Sequence, residues 1–120
     1  MATLKPTLTL TNADSTADAL NISVTDTLTV SEPSVNIARA AILHTGVTTL
    51  LTTAQAAHTF MYLKNMDTTN IITISTDGGT AFMTLNPGEF AFFPLKGTVG
   101  IEAQANTATC ILEYGYWTRT

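Results

Sequence analysis

The chain has 120 residues, a net charge of −4 and only 12% charged residues. This length fits one domain with a workable core, and the five scattered Lys and Arg residues argue against binding DNA or RNA, because a polyanion requires a basic patch. Thr supplies roughly a fifth of the residues, and its β-branched side chain favours strands. The chain has neither a signal-peptide pattern nor an apolar run of about 20 residues, so we expect a soluble, cytoplasmically made protein outside the membrane.

The first segment combines a strand pattern with a polar stretch. In residues 4–11, Thr alternates with Leu8 and Leu10, which predicts a strand buried on one face, and Pro6 confines its start to an edge. The polar residues 12–18 predict turns. We therefore expect residues 1–19 to form an N-terminal strand followed by a flexible loop.

The same polar stretch contains the best candidate for a metal site. Asp14 and Asp18, with Asn12 and Ser15, provide oxygen atoms of the kind that bind Ca²⁺. Their spacing matches no established calcium loop, so we interpret the stretch as a solvated turn and expect no metal ion or other cofactor.

Two charged residues interrupt apolar rows in the next segments. In residues 20–30, Asp26 falls on the otherwise apolar side. Either the strand bends or bulges at this point, as long sandwich strands do where they change sheets, or Asp26 has a buried partner, and we favour the bend. In residues 35–43, Arg39 lies in a row of apolar residues. An isolated buried arginine would be costly, so we expect Arg39 to pair with a carboxylate or to reach a subunit boundary.

The rest of the chain reads as short strands separated by turns. Gly78, in an Asp-Gly-Gly sequence, predicts a hairpin, and Gly88, in Asn-Pro-Gly-Glu, predicts a type II turn. Cys110 lies in an apolar run and is interpreted as a small buried hydrophobe, while His44 and His58 have no third ligand residue at a recognised spacing. The predicted strands are residues 47–53, 58–64, 71–76, 81–85, 89–95, 99–105 (with one polar face) and 108–117, with a single helical turn at 54–57.

The strand at residues 89–95 has two apolar faces. Phe90 and Phe92 point to one side, whereas Ala91, Phe93 and Leu95 point to the other, because successive side chains alternate along a strand. We therefore expect both sides to be covered, one by the core and one by a second element. A loop or N-terminal segment of the same chain, another subunit and a partner protein all remain open for that second cover.

About eight to ten short strands, turn signals every 8 to 12 residues and no long helix predict an all-β fold, a two-sheet antiparallel sandwich. We expect residues 1–120 to form this single domain with a jelly-roll-like topology. An immunoglobulin-like Greek key is the alternative.

Several short motifs resemble small structural proteins of tailed bacteriophages. They are YLKNMD at 62–67, a glycine hairpin, NPGEFAFFP at 86–94, AQANTA at 103–108 and LEYG at 112–115, and together they span residues 60–117. The resemblance implies a non-enzymatic virion protein, a capsid decoration (cement) protein. Such a protein is made in the host cytoplasm, lies on the capsid surface, binds the major capsid protein and forms a homotrimer. We expect contact through the second face of residues 90–95 and through the Thr-rich N-terminal strands. The candidate interface residues are Phe90, Phe92, Phe93, Leu95, Arg39 and Trp117.

Two other functional classes are weighed against this one. An adhesion or carbohydrate-binding module would stack sugars on Tyr114, Tyr116 and Trp117, although the apolar parity of their strand favours a place in the core. A glycosidase would require two positioned carboxylates. Glu89, Glu102 and Glu113 are the available acids, and we interpret them as solvated surface residues, not catalytic ones.

Overall fold

The computed structural model describes residues 2–12, 21–31, 37–52, 60–96 and 98–119. Within these ranges the secondary structure consists of twelve β-strands, all strand pairs are antiparallel, and no helix is long and apolar enough to cross a membrane. The predicted all-β, antiparallel fold is confirmed. The strands are β1 (Ala2–Leu4), β2 (Thr7–Thr11), β3 (Asn21–Thr25), β4 (Leu28–Ser31), β5 (Ala38–Ile42), β6 (Thr48–Leu51), β7 (Phe60–Asn65), β8 (Ile72–Thr76), β9 (Ala81–Leu85), β10 (Phe90–Pro94), β11 (Ile101–Ala105) and β12 (Cys110–Arg119).

The strands form two main sheets and one separate ribbon. The six-stranded sheet has the order β1-β4-β12-β7-β10, and β5 pairs with the first half of the long strand β12. The four-stranded sheet has the order β6-β11-β8-β9, while β2 and β3 pair only with each other. Among the last eight strands, β5 pairs with β12, β6 with β11, β7 with β10 and β8 with β9. This nesting is the pattern of one long hairpin that has been rolled up.

The hydrophobic core of the described residues lies where the two main sheets pack together. The six-stranded sheet contributes Met61 and Leu63 from β7 and Leu112 from β12, and the four-stranded sheet contributes Ile74 from β8 and Ile101 from β11. All five are fully buried. The arrangement is sandwich-like.

Both predicted glycine turns are present. Gly78 has a φ of 70° in the turn between β8 and β9, and Gly88 has a φ of 81° in the turn between β9 and β10. In the second turn, the backbone nitrogen of Glu89 donates to the carbonyl oxygen of Asn86 at 3.0 Å. Glycine is favoured at both positions because a Cβ would be strained at a positive φ. The turn at Gly88 carries the chain from the four-stranded to the six-stranded sheet.

The predicted bend at Asp26 is confirmed. Strand β3 ends at Thr25, β4 begins at Leu28, and the two strands belong to different sheets. The Asp26 carboxylate accepts a hydrogen bond from the backbone nitrogen of Thr27 at 2.7 Å, and the backbone nitrogen of Asp26 donates to the Pro6 carbonyl at 3.1 Å. Asp26 therefore stabilises the corner where the chain changes sheets.

The prediction of one strand buried on one face at residues 4–11 is wrong. Pro6 separates β1 from β2, and Leu8 and Leu10 remain nearly half exposed. The Thr-Leu alternation does produce two distinct faces, but β2 pairs only with β3 and lies outside the two main sheets.

The predicted polar face of residues 99–105 is also corrected by the structure. Glu102 is buried, because β11 lies between β6 and β8 in the four-stranded sheet. Several other predictions fall outside the described residues. These are the acidic stretch with Asp14, Ser15 and Asp18, the helical turn at 54–57, and His58.

Candidate interaction surface

Five aromatic side chains project from the outward side of the six-stranded sheet. Within the sheet, Phe92 on β10 is opposite Tyr62 on β7, and Trp117 on β12 is opposite Phe60 on β7. Phe90 lies two residues before Phe92 and shares its side. We call the surface formed by Phe60, Tyr62, Phe90, Phe92 and Trp117 the aromatic face.

The rings of the aromatic face pack unevenly. Phe92 stacks on Phe60 with ring centroids 6.1 Å apart and contacts Trp117 at 6.2 Å, while the Arg119 guanidinium lies 5.0 Å from the Phe60 centroid. Phe60 is consequently 3% exposed, whereas Phe92 is 38% exposed and Phe90 is 66% exposed. The face is therefore an ordered aromatic cluster with one edge uncovered.

Gly115 makes room for this cluster. It lies opposite Tyr62 in the sheet, on the same outward side. A Cβ at Gly115 would lie 3.0 Å from Cη2 of Trp117 and 3.1 Å from Cδ1 of Ile37. The absence of a side chain there lets Trp117 lie flat across its own strand.

A polar network borders the aromatic face. The Arg39 guanidinium binds Glu113 at 3.1 Å, and the Tyr62 hydroxyl donates to the other carboxylate oxygen of Glu113 at 2.9 Å. The hydrogen bonds from Tyr62 and Arg39 lower the pKa of Glu113, while burial and the bond to Glu113 raise the pKa of Tyr62. At neutral pH the network therefore holds an anionic Glu113 and a neutral Tyr62. The predicted pairing of Arg39 with a carboxylate is confirmed, although the row that contains Arg39 faces outward.

The N-terminal segment lies beside the aromatic face and borders two clefts. A cleft of about 340 Å³ is lined by Pro6, Thr7, Tyr62, Phe92, Glu113 and Trp117, among others. A second cleft, of about 390 Å³, is lined by Leu8 and Val24 on one side and by Phe90, Ala91 and Phe92 on the other. The N-terminal segment thus supplies part of the second cover that was predicted for β10, but it leaves Phe90 largely exposed.

The β2–β3 ribbon has one apolar and one polar face. Leu8 is paired opposite Val24, and Leu10 is paired opposite Ile22, so these four side chains lie on the same side. They are 40–56% exposed. Apart from their pairing with each other, β2 and β3 contact no other described strand extensively. An isolated two-stranded ribbon is only marginally stable in water, so this apolar face requires a cover.

The structure divides the six predicted interface residues into two groups. Phe90, Phe92, Arg39 and Trp117 lie together on the outward side of the six-stranded sheet, whereas Phe93 and Leu95 pack against the core. The division follows from the alternation of side chains along β10. Tyr62 was not predicted as a member of this surface.

The residues considered for other functions lie apart from one another. Glu89 binds the backbone and side-chain nitrogens of Asn86 at 2.6 and 2.9 Å, which lowers its pKa. Glu102 accepts a 3.4 Å hydrogen bond from Ser75 in the four-stranded sheet, and Glu113 belongs to the Arg39 network. Each carboxylate is engaged locally.

The residues considered for sugar stacking and for thiol chemistry, apart from Trp117, lie in or against the hydrophobic core. Tyr114 and Tyr116 pack against the core, in contrast to Trp117. Cys110 is buried, and burial raises the pKa of its thiol. Among the residues that the structure describes, no three His, Cys, Asp or Glu side chains are grouped so that they could hold a metal ion.

Comparison with known proteins adds no relative: no family model, no curated protein and no solved structure matches the chain. Function is therefore inferred from the chemistry of the aromatic face, its two clefts and the ribbon.

Proposed function

We propose that this chain is a non-enzymatic structural protein of a bacteriophage virion. In this proposal it is a capsid decoration protein that self-associates and binds the major capsid protein, thereby stabilising the head. The observation that supports the proposal is the position of the exposed apolar side chains. Of the eleven large hydrophobic residues exposed in the described part of the chain, nine lie on the ribbon, on the outward side of the six-stranded sheet or directly beside its strand β5. They are Leu8, Leu10, Ile22 and Val24, and Ile37, Leu43, Phe90, Phe92 and Ile111.

This distribution supports an interaction protein because scattered apolar residues are normal on a surface, whereas a contiguous apolar patch marks a site of contact. A decoration protein requires a compact β body and surfaces that reach both its own copies and the capsid subunits. The phage-like motifs at residues 60–117 supply the capsid part of the proposal. They also favour a homotrimer on the outside of the head.

The rolled-hairpin pairing of β5 to β12 supports a jelly roll as the finer topology. A jelly roll consists of eight strands in two sheets built from two Greek keys. We propose this topology in preference to an immunoglobulin-like Greek key, because the nested pairs place the first and last strands of the set side by side.

Binding to expanded empty capsids tests the proposal. We expect the chain to co-sediment with shells of the major capsid protein encoded alongside it, and Phe90→Ser to weaken this binding at least tenfold. Phe82→Ser is the matched control, because Phe82 is also at least half exposed, at 50% against 66% for Phe90, but lies on the four-stranded sheet. Failure of the unaltered chain to co-sediment would contradict capsid decoration.

A second candidate function is supported by the 340 Å³ cleft. Its aromatic rings, Phe92 and Trp117, lie beside the polar groups of Tyr62 and Glu113, a combination that suits a sugar ring. An adhesion or carbohydrate-binding module would bind glycans on an array and would lose that binding in Trp117→Ala with the fold retained. Tyr114→Ala provides a control, because Tyr114 packs on the opposite, core side.

A further inference from the structure

The apolar face of the ribbon is the part of the surface that most requires a partner. Leu8, Leu10, Ile22 and Val24 form two cross-strand pairs on one side of the ribbon. Residues 7–11 and 21–25 contain no charged side chain. A partner that is recognised through charge, such as a nucleic acid or a phospholipid headgroup, therefore finds no complement on the ribbon.

The 390 Å³ cleft has the shape and chemistry to receive such a face. Its walls are Leu8 and Val24 at the base of the ribbon and Phe90 with Phe92 on β10. Asp26 is the one charged residue of its lining, and the Asp26 carboxylate already accepts the Thr27 amide hydrogen. The cleft lies at β10, the last strand of its sheet, so the approach from outside is along a sheet edge.

Each copy of the chain thus carries both halves of an apolar contact. The outer half of the ribbon, with Leu10 and Ile22, lies beyond the cleft of its own chain, whose lining includes only Leu8 and Val24 from this face. The half-exposed ribbon face and Phe90–Phe92 offer roughly 600 Å² of apolar surface per copy. Two copies that exchange ribbons would bury roughly 1,200 Å², which reaches the lower end of the range for specific interfaces.

We infer that Leu10 and Ile22 of one copy insert into the Phe90–Phe92 cleft of a second copy. The inference rests on the self-association proposed above and assigns its contact. Since ribbon and cleft are different surfaces of the same chain, the contact closes either by reciprocal exchange between two copies or as a ring in which each ribbon enters the next cleft. Reciprocal exchange places two ribbon–cleft contacts in one interface, whereas each interface of a ring holds one contact and buries roughly 600 Å².

Disulfide trapping between two different variants tests the contact directly. One variant carries Leu10→Cys and a size tag, the other carries Phe90→Cys in the cleft wall, where Phe90 is 66% exposed and Phe92 remains in place, and both carry Cys110→Ala. After mixing and mild oxidation, we expect a disulfide between the tagged and untagged chains, which is intermolecular by construction. Thr9→Cys, on the polar face of the ribbon, is the matched control and should give at least tenfold less of this product. Equal trapping by Thr9→Cys, or no trapping in a preparation that is oligomeric, would overturn the inference.

A non-covalent measurement separates the inference from the proposal on which it rests. We expect Leu10→Asp to weaken self-association at least tenfold by light scattering, while Thr9→Asp leaves it unchanged. If the unaltered chain is oligomeric and Leu10→Asp is equally so, the ribbon contact is wrong but self-association stands. If the unaltered chain is monomeric, both are wrong.

Discussion

Asn65 offers the sharpest test of how the fold positions the aromatic face. This residue ends β7 and is completely buried. Its side-chain nitrogen donates to the carbonyl oxygens of Leu85 at 3.0 Å and Asn70 at 2.9 Å, and its side-chain oxygen accepts from the Asp67 amide at 3.0 Å. Its backbone also binds both ends of the Gly88–Glu89 segment, at 3.0 and 2.9 Å, immediately before Phe90. Asn65 thus anchors the turn that leads into β10.

We expect Asn65→Ala to lower the free energy of unfolding by about 3–4 kcal/mol. The change leaves the buried Leu85 carbonyl without its donor, at about 2 kcal/mol, and removes two part-buried hydrogen bonds, at about 1 kcal/mol each. For a chain of this size the free energy of unfolding decreases by about 1.5–2 kcal/mol per molar urea, so the urea midpoint of Asn65→Ala should be lower by about 2 M.

The assay is urea unfolding followed by the fluorescence of Trp117, the single tryptophan. All variants are compared at one protein concentration, because self-association would add to the apparent stability. Asn86→Ala is the control: its exposed side chain makes one hydrogen bond, to Glu89, so its cost should stay below about 1 kcal/mol. Equal midpoints for the two variants would refute the role assigned to Asn65.

Three further predictions concern the turn, the thiol and the polar network. Gly88→Ala should lower the free energy of unfolding in urea by about 1–2 kcal/mol, because Gly88 has a φ of 81°. Gly46→Ala is the control and should be nearly neutral, because a Cβ at Gly46 would have open space around it. Equal losses of stability in the two variants would contradict the turn assignment. Cys110 should react with a thiol reagent in urea but not in the native protein, since burial raises its pKa, and rapid native labelling would argue against its place in the core. Glu113→Gln should lower the urea midpoint at neutral pH. The hydrogen bonds from Tyr62 and Arg39 lower the pKa of Glu113 in the folded state, so the stability they give is present above the unfolded pKa, and the difference between the two proteins should disappear as pH falls through the lowered folded one. A difference that persists in acid, or one that Arg39→Ala does not share at neutral pH, would contradict the ion pair.

The sequence predicted those features that depend on local pattern. The alternation along β10 separated Phe90 and Phe92 from Phe93 and Leu95, and the structure shows the same division. The expectation that Trp117 lies in the core with Tyr114 and Tyr116 is wrong, because Trp117 has the opposite parity on β12 and lies on the outward side of the sheet. The turn at Gly88 and the bend at Asp26 were also predicted from local sequence. Few residues other than glycine adopt a positive φ, and a charged residue in an apolar row indicates that the strand is interrupted there.

Features that depend on contacts between distant segments were not predicted from the sequence. Leu8 and Leu10 alternate with Thr as a half-buried strand would, yet pattern alone does not show whether a second layer covers them. Glu102 is buried because β11 lies between two other strands of its sheet, and the order of strands in a sheet does not follow from the sequence pattern. Tyr62 belongs to the aromatic face and donates a hydrogen bond to Glu113, which lies 51 positions away in the sequence, so local pattern does not show this contact.

The central claim is that the uncovered apolar surface of this chain is covered by other copies of the chain. The most direct test is the mass of the purified protein by light scattering over a wide range of concentration. A single chain has a mass of 12.8 kDa. The account predicts a discrete multiple of that mass, three chains for the proposed decoration trimer. A particle that stays at the mass of one chain at every concentration would contradict it.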